Sequence, residues 1–289
     1  MKTHTTTIPV EGPWSLATSR RFWEGFSPNA LAEQDRDGVL NTAFRVEHDW
    51  SRARVAVGQH GSHARLTLNG DGDLDAAAAQ VARFLSLDVD ARGWPAVGER
   101  DAVIRDAQAR LPGLRPCGFY SPYEAAAWSV LSQRIRIVQA GKLREQLVHD
   151  HGDGGVFPAP ALLRATDLDL PGRKAEYLHA VADAALEGRL DGTTLRAMPA
   201  DAAMAQVQQI KGLGPFASEL VVIRGANAPD VAPRQERRLE AEVAEKYGPD
   251  AGLGAVSNGW SPYRTWASVY LRVLREQRTE EIAGRTRAK

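Results

Sequence analysis

The sequence has almost no cysteine, since Cys117 is the single one in 289 residues. Neither an intrachain disulfide nor a four-cysteine iron-sulfur cluster can therefore form within the chain. No apolar run approaches the roughly 18 residues of a membrane span. Residues 1–7 lack the apolar core of a secretory signal. We therefore expect a cytoplasmic protein with no membrane contact.

Net charge is also absent, because 36 basic residues balance 36 acidic ones. This balance argues against a strongly basic polyanion binder, so any nucleic-acid surface has to be local. The sequence further lacks a His-x-x-x-His pair, a phosphate-binding loop and a Gly-x-Ser-x-Gly elbow. We predict neither a metal centre nor a cofactor. The 43% hydrophobic content is ample for a packed core.

The first third of the chain has the alternating pattern of half-buried strands. Apolar and polar side chains alternate in three short runs, at 44–50, 53–58 and 64–68. Gly61-Ser62 supplies a turn signal between the last two. These runs predict an antiparallel sheet with one wet face. Residues 73–87 follow with an apolar stripe at helical spacing, which predicts a helix that packs on the sheet.

From residue 99 onward the pattern is helical. Ser121 is an N-cap followed by proline at the first helical position, and Glu124 completes a capping box. The one clear break, at 111–118, divides the chain into a sheet domain at 1–112 and a helical domain at 113–289. The predicted fold class is α+β, with a small N-terminal antiparallel sheet domain followed by a larger all-helical domain.

Two glycines separate two helical patterns within residues 209–220. Gly212 and Gly214 allow positive φ and carry no Cβ, so backbone N–H groups and the next helix's N-terminus can point at one anion. Such a turn grips a phosphate without reading sequence. For the glycines alone, an ordinary corner between helices is the alternative. The flanking apolar residues favour a hairpin that packs on a small buried cluster. These residues are Val207, Ile210, Leu213, Phe216 and Leu220.

Four segments together resemble the helix-hairpin-helix DNA glycosylases, specifically the 3-methyladenine DNA glycosylase II branch. They occur in the family's order and cover most of residues 119–276. They are a Pro-aromatic-Glu helix that runs into a glutamine turn at 121–135, a turn and helix start at 170–178, the hairpin at 209–220 and a helix start at 260–267. The resemblance implies the family's N-terminal sheet domain and helical glycosylase domain.

The resemblance also implies DNA contacts. The corresponding residues are Gln133, Arg134, Lys211, Gly212, Leu213 and Gly214. Arg134 stands at the family's wedge position, where its planar guanidinium could stack, although a solvated cation beside Arg136 is an equal alternative. Phe216 stands where members that also cut the backbone carry a lysine. The resemblance therefore implies a monofunctional enzyme.

A carboxylate stands where active relatives carry a catalytic aspartate, 22 residues beyond Gly214, but it is Glu236. In the family this group stabilises the cationic sugar and orients water. The extra methylene displaces the carboxylate by roughly an ångström, and misplacement on that scale can cost about 100-fold in rate. The alternative is an acid at a helix start, stabilised by the helix dipole beside Arg237 and Arg238.

The base pocket implied by the resemblance consists of Phe216, Leu220, Trp266 and Tyr270. Aromatic rings suit it because an alkylated base is electron-poor and stacks on π faces. Leu220 and Arg272 stand where relatives often have aromatic residues, so the implied pocket has fewer aromatic rings than is usual in the family. A place in the core is the alternative for Trp266 and Tyr270.

The function implied is a monofunctional DNA glycosylase in base excision repair that flips out alkylated purines and hydrolyses the N-glycosidic bond. Its partner would be double-stranded DNA with damaged bases, bound by a monomer near the nucleoid. A monovalent cation at the hairpin carbonyls is the one ion that the resemblance allows. Two alternatives stay open. One is a non-catalytic binder of damaged DNA on the same fold, because position 236 is glutamate, and the other is a helical scaffold for protein partners.

Overall fold

A computed structural model of the chain describes residues 2–24 and 38–280. Residues 1, 25–37 and 281–289 of the two predicted domains lie outside the described residues. The four strands are β1 (Lys2–Pro9), β2 (Leu40–Arg45), β3 (Arg52–His60) and β4 (His63–Gly70). They form one antiparallel sheet, and the rest of the described chain is mostly helical, so the predicted α+β class is confirmed.

The helices run from the N-terminal part to residue 279. They are α1 (Leu16–Glu24), α2 (Leu74–Phe84), α3 (Trp94–Arg100), α4 (Ala102–Arg110), α5 (Pro122–Leu131), α6 (Ile137–His151), α7 (Pro160–Ala165), α8 (Lys174–Leu186), α9 (Gly192–Ala197), α10 (Ala200–Gln208), α11 (Pro215–Leu220), α12 (Arg237–Tyr247), α13 (Leu253–Ser257) and α14 (Arg264–Thr279). A π-helical turn at Val221–Gly225 extends α11. In the described ranges, no helix is long and apolar enough to cross a membrane.

The sheet has the order β1-β4-β3-β2 and buries one face. β3 and β4 form a hairpin in which His60 faces His63, and Gly61 in its turn has a φ of 58°. Alternate residues of these two strands are buried, namely Ala53, Val55, Val57, Ala64, Leu66 and Leu68. Helix α2 packs on this face and is capped by Asp73, whose carboxylate accepts the N–H groups of Asp75 and Ala76.

Two details of the sheet differ from the sequence prediction. β1 was missed because its threonine-rich sequence has no apolar alternation, and its pairing with β4 supplies the register instead. The predicted strand at 44–50 ends at Arg45. The chain then turns, because the Asp49 carboxylate accepts the N–H groups of Ser51 at 2.8 Å and Asp73 at 3.1 Å.

The start of α5 confirms only half of the predicted capping box. Ser121 Oγ accepts the N–H of Glu124 at 3.2 Å, as expected of an N-cap. The Glu124 side chain does not reach back to Ser121, because it is buried and pairs with Arg144 of α6 at 3.2 Å.

Three hydrophobic clusters form the interior of the described chain. The first lies under the sheet, the second spans residues 119–228, and the third joins residues 89–114 to residues 239–274. The third cluster crosses the boundary predicted at residue 112. The division into 1–112 and 113–289 therefore stays a prediction, while the packing unites α3 and α4 with α12 and α14.

The predicted break at 111–118 is held inside the protein by the buried Arg115. The Arg115 side chain is fully buried, and its guanidinium donates to the carbonyls of Ser86 at 2.7 Å, Val89 at 2.9 Å, Pro13 at 3.1 Å and Glu11. Burial lowers the pKa of Arg115 to about 10. Because these carbonyls satisfy the guanidinium, the segment acts as a fixed part of the core rather than as a flexible tether.

A second buried charge joins the sheet side to the helical side. The Glu47 carboxylate pairs with Arg83 of α2 and accepts the N–H of Gly192 at 3.0 Å. Burial raises the pKa of Glu47 to about 7, against the opposing effect of the Arg83 guanidinium. This contact therefore titrates near neutral pH.

We expect Glu47→Gln to flatten the pH dependence of stability between about pH 5 and pH 8. The folded protein holds a proton on Glu47 more tightly than the unfolded chain, whose pKa is near 4.5. The resulting stabilisation is complete below that value and is lost as pH rises through about 7, a change on the order of 3 kcal/mol. Urea midpoints at both pH values test this, with the exposed Glu99→Gln as control. A pH dependence that survives in the Glu47 variant would place the titration elsewhere.

Candidate nucleic-acid interface

The segment at 209–214 forms a tight turn between α10 and α11. The N–H of Leu213 donates to the carbonyl of Ile210 at 3.0 Å, which closes the turn. Four of the five residues of the predicted apolar cluster lie beneath it, because Val207, Ile210 and Leu213 are buried and Leu220 packs against them. Phe216, the fifth, is 55% exposed, so its predicted place in the cluster is wrong. The turn is therefore a helix-hairpin-helix arrangement with a packed underside.

Gly212 needs to be glycine for two reasons. Its φ is 90°, and a Cβ at this position would stand 2.3 Å from Cγ of Tyr177 in α8. The first condition strains any side chain, and the second leaves no room for one. The expected positive φ is thus correct at Gly212, and the hairpin is seated directly on α8.

Gly214 differs from the expectation. Its φ is −94° and its ψ is −170°, an extended conformation that any residue adopts. A Cβ here would meet nothing within 4 Å. The prediction of positive φ at Gly214 is therefore wrong, because the residue is the N-cap of α11 and closes no left-handed turn. What the glycine provides is open space outside the hairpin.

Not every amide of residues 212–216 is available to an anion. The Leu213 N–H is used inside the turn, and Pro215 has no N–H. Within the described chain, the N–H groups of Gly212, Gly214 and Phe216 make no such internal bond. These three are the donors that the hairpin offers, two of them at the first turn of α11.

A hydrogen bond joins the glutamine turn to the hairpin. Gln133 Nε2 donates to the carbonyl of Gly212 at 2.8 Å. The turn itself is held by Lys174 of α8, whose buried Nζ donates to the carbonyls of Val130 at 2.9 Å and Gln133 at 2.8 Å. Burial lowers the pKa of Lys174. The first turns of α8 thus carry both loops, a role for Lys174 that the sequence analysis missed.

Arg134 projects from this turn. It is exposed and has a φ of 57°, a left-handed conformation that is uncommon outside glycine. Five large apolar side chains of the described chain are exposed, and three of them adjoin the turn or the hairpin: Ile137 (39%), Val138 (46%) and Phe216 (55%). Exposed apolar side chains therefore lie within four residues of Arg134 and of Gly212 in the sequence.

Lys211 already has a partner. It lies beside Glu176 of α8, and Arg173 donates to the same carboxylate at 2.6 and 2.9 Å. The Arg173 hydrogen bond and then Lys211 hold the pKa of the Glu176 carboxyl at about 2. A phosphate would have to compete with Glu176 for Lys211, so its role as a DNA contact stays a prediction.

Glu236 lies at the start of α12 as its N-cap. Its Oε1 accepts the N–H of Arg238 at 3.1 Å and lies 3.6 Å from Nε of Arg272 in α14. The predicted alternative, an acid at a helix start, thus accounts for the hydrogen bond from Arg238. The side chain is nevertheless only partly buried, which leaves it accessible to a ligand.

The segment just before Glu236 is tied to α11. Glu219 is buried, and its carboxylate accepts the N–H of Arg234 at 3.0 and 3.1 Å and of Gln235 at 3.0 Å. This residue was not among those predicted from the sequence. A charged residue among buried neighbours of a short helix is the signal that could have indicated it.

Two of the predicted pocket residues lie in the core. Trp266 and Tyr270 are each 1% exposed in the third hydrophobic cluster, whereas Phe216 is on the surface and Leu220 packs on the second. Trp94 packs against both rings, the Arg115 guanidinium lies 5.4 Å from the Trp266 ring, and Tyr270 Oη donates to a backbone carbonyl at 2.6 Å. In this conformation neither ring offers a face to a base.

A cavity of about 240 Å³ lies between α4, α12 and α14, with Val103, Lys246 and Leu274 in its lining. Lys246 is ten residues beyond Glu236, or about 15 Å along a helix. The cavity is therefore at the other end of α12 and is not the surface described above.

Several known proteins are similar to this chain in sequence. No family model matches the chain. A Mycobacterium tuberculosis protein named "Probable bifunctional transcriptional activator/DNA repair enzyme AlkA" is 26% identical over 255 residues, 83% of this chain and 51% of that protein. The chain thus spans about half the length of this relative. A Bacillus subtilis protein named DNA-3-methyladenine glycosylase is 26% identical over 215 residues, 67% of this chain and 71% of the relative.

The solved structures extend the likeness to almost the whole chain. A 3-methyladenine DNA-glycosylase from Archaeoglobus fulgidus superposes with a TM-score of 0.74 at 18% identity, covering 96% of this chain and 100% of that one. The chain has the fold of the helix-hairpin-helix DNA glycosylases. MBOgg1 in complex with a low-affinity DNA ligand follows at 0.69 and 18% identity, covering 96% and 99%. The resemblance inferred from the sequence is therefore confirmed.

The two hairpin glycines should differ in their effect on stability. Gly212→Ala combines a strained φ with a collision against Tyr177, so we expect a loss of about 2 kcal/mol or more. Gly214→Ala meets neither problem, and its stability should stay within about 0.5 kcal/mol of the parent. Chemical denaturation of both variants measures this. Equal losses would contradict the assigned backbone geometry.

Proposed function

We propose that the protein is a monofunctional DNA glycosylase that releases alkylated purines from double-stranded DNA. The observation that carries the proposal is the Gln133–Gly212 hydrogen bond. It joins the turn that carries Arg134 to the hairpin that carries Phe216, and the exposed side chains and unbonded amides of these two loops would form the DNA surface. The names of the two relatives support the reaction class.

The hairpin would anchor the backbone of the damaged strand. A phosphate oxygen at Gly214 would accept hydrogen bonds from the N–H groups of Gly214 and Phe216, and the N–H group of Gly212 would lie beside them. The open space at Gly214 lets the phosphate approach this closely. Arg134 would enter the gap that the extruded nucleotide leaves, since its planar guanidinium can stack on a base.

Glu236 would act on the sugar. Cleavage of the N-glycosidic bond develops positive charge on the sugar, which a nearby carboxylate stabilises while it orients the attacking water. Among the described residues, both contacts of the Glu236 side chain are made by Oε1. Oε2 is then the oxygen that would face the sugar or the water. Phe216 in place of a lysine nucleophile limits the reaction to base release.

The longer carboxylate comes with a compensating partner. Arg272 lies 3.6 Å from Glu236, and both residues depart from the pattern that the resemblance implies. The guanidinium draws the carboxylate toward α14 and offsets the extra methylene. We therefore favour a working enzyme over a binder that no longer cuts.

The remaining features of the proposal are the substrate, the assembly and the location. The substrate would be duplex DNA with alkylated purines, bound by a monomer near the nucleoid. No cofactor enters the proposed reaction, and a monovalent cation at the hairpin carbonyls stays a prediction. Phe216 is the pocket residue that we retain, because its ring is exposed beside the hairpin.

Single-turnover base release from methylated duplex tests the catalytic role. Glu236→Gln should slow release by about 100-fold or more, because the charge is lost. Glu236→Asp should also slow it, by about 10-fold to 100-fold, because the shorter side chain withdraws from Arg272. Equal release in parent and Glu236→Gln would remove Glu236 from the mechanism. No release by any variant, with tight binding to abasic DNA, would support the binder instead.

DNA affinity tests the anchor separately. Gly214→Ala places a methyl group where the phosphate would approach, so the Kd for abasic duplex should rise about 10-fold or more through lost hydrogen bonds to a charged group. Gly254→Ala is the matched control, since its Cβ also meets nothing within 4 Å. Unchanged affinity of the Gly214 variant at moderate salt would reduce the hairpin to a corner between helices.

A further inference from the structure

Glu219 occupies an unusual position for a carboxylate. It lies on α11, five residues beyond Gly214, and it is buried, as are Ala217 and Ser218 before it and the π-helical turn that follows. Burial raises the pKa of Glu219, whereas hydrogen bonds from the amides of Arg234 and Gln235 lower it. A carboxylate taken out of water is unfavourable unless such donors compensate it. The packing of α11 alone would be served better by an apolar residue.

The amides that compensate Glu219 belong to a segment without regular structure. Residues 231–236 form neither helix nor strand. Arg234 and Gln235, whose N–H groups lie 3.0 to 3.1 Å from the Glu219 oxygens, come directly before Glu236. The Arg234 side chain also forms an ion pair with Asp201, but this pair is exposed and contributes little to stability. The start of the segment is held by the buried Thr265 of α14, whose Oγ1 accepts the N–H of Val231 at 3.1 Å. Glu219 is the buried anchor of its end, directly before Glu236.

The tie joins the two ends of the proposed reaction surface. α11 begins at the hairpin that would hold the phosphate, and the segment ends at the carboxylate that would face the sugar. Phosphate and sugar of one nucleotide have a fixed separation, and a shift of about 1 Å at a reacting group can cost about 100-fold. A single side chain that spans from α11 to residues 234–235 keeps that separation constant.

We propose that Glu219 is a positioning residue that fixes the catalytic carboxylate of Glu236 relative to the phosphate-binding hairpin. The inference rests on the proposed glycosylase function. Glu219 does not touch the substrate; it acts through the backbone of residues 234–235. Its removal should therefore reduce the rate of base release without weakening the grip on DNA.

A double-mutant cycle on the full chain distinguishes positioning from general stabilisation. Glu219→Gln keeps the shape of the side chain but has one acceptor oxygen in place of two. We expect base release from methylated duplex to slow about 10-fold, with the Kd for abasic duplex within about twofold of the parent. In a Glu236→Gln background the same change should have no further effect on residual release, because there is no carboxylate left to place.

Glu124→Gln is the matched control. It also neutralises a buried glutamate that pairs with another element, Arg144 of α6, but it does not contact residues 234–236. Its release rate should stay within about twofold of the parent. Equal slowing by Glu219→Gln in both backgrounds, or slowing by Glu124→Gln as large, would overturn the positioning role.

Amide hydrogen exchange tests the tie independently of catalysis. Exchange at Arg234 and Gln235 should be about 10-fold faster in Glu219→Gln and unchanged in Glu124→Gln. Unchanged exchange in the Glu219 variant would overturn the inference even if the parent is active. A parent that releases no base refutes the proposed function and with it the catalytic consequence of Glu219, while the exchange data still show whether the tie exists.

Discussion

The carbonyl of Gly212 accepts a hydrogen bond from Gln133, and the proposed DNA surface depends on this contact and on the helix beneath it. Lys174 fixes the turn from below, and the Tyr177 ring fills the space under Gly212. Neither the glutamine turn nor the hairpin is regular secondary structure, so neither is held in position by helix or sheet hydrogen bonds of its own. The first turns of α8 act as a common base that makes two separate loops one rigid surface.

The patterns that depend on near neighbours in sequence could be predicted. The strands around Gly61, the Ser121 cap and the packed underside of the hairpin all follow from spacing and turn chemistry, and all are present. Sequence spacing does not state which surface a buried helical face meets. For that reason Trp266 could not be separated from a pocket residue, and the role of Lys174 could not be foreseen.

Gly214 illustrates a different limit. A glycine in a turn indicates either a left-handed backbone or the need for empty space, and the two have the same appearance in a sequence. The structure assigns the first to Gly212 and the second to Gly214. The role of Glu236 had two interpretations for a similar reason, because an acid before a helix can be either a helix cap or a catalytic group. Its observed contacts leave room for both, since the cap uses one oxygen.

The third hydrophobic cluster has a consequence for how the chain reaches its fold. It packs α3 and α4 against α12 and α14, which follow them by more than a hundred residues in the chain. Closing a loop of more than a hundred residues is slow compared with local helix formation, and its entropy has to be overcome before the contacts form. A nascent chain still lacking α14 would leave Trp94 and its neighbours uncovered. The interior of the early segment is therefore completed only after α14 has left the ribosome.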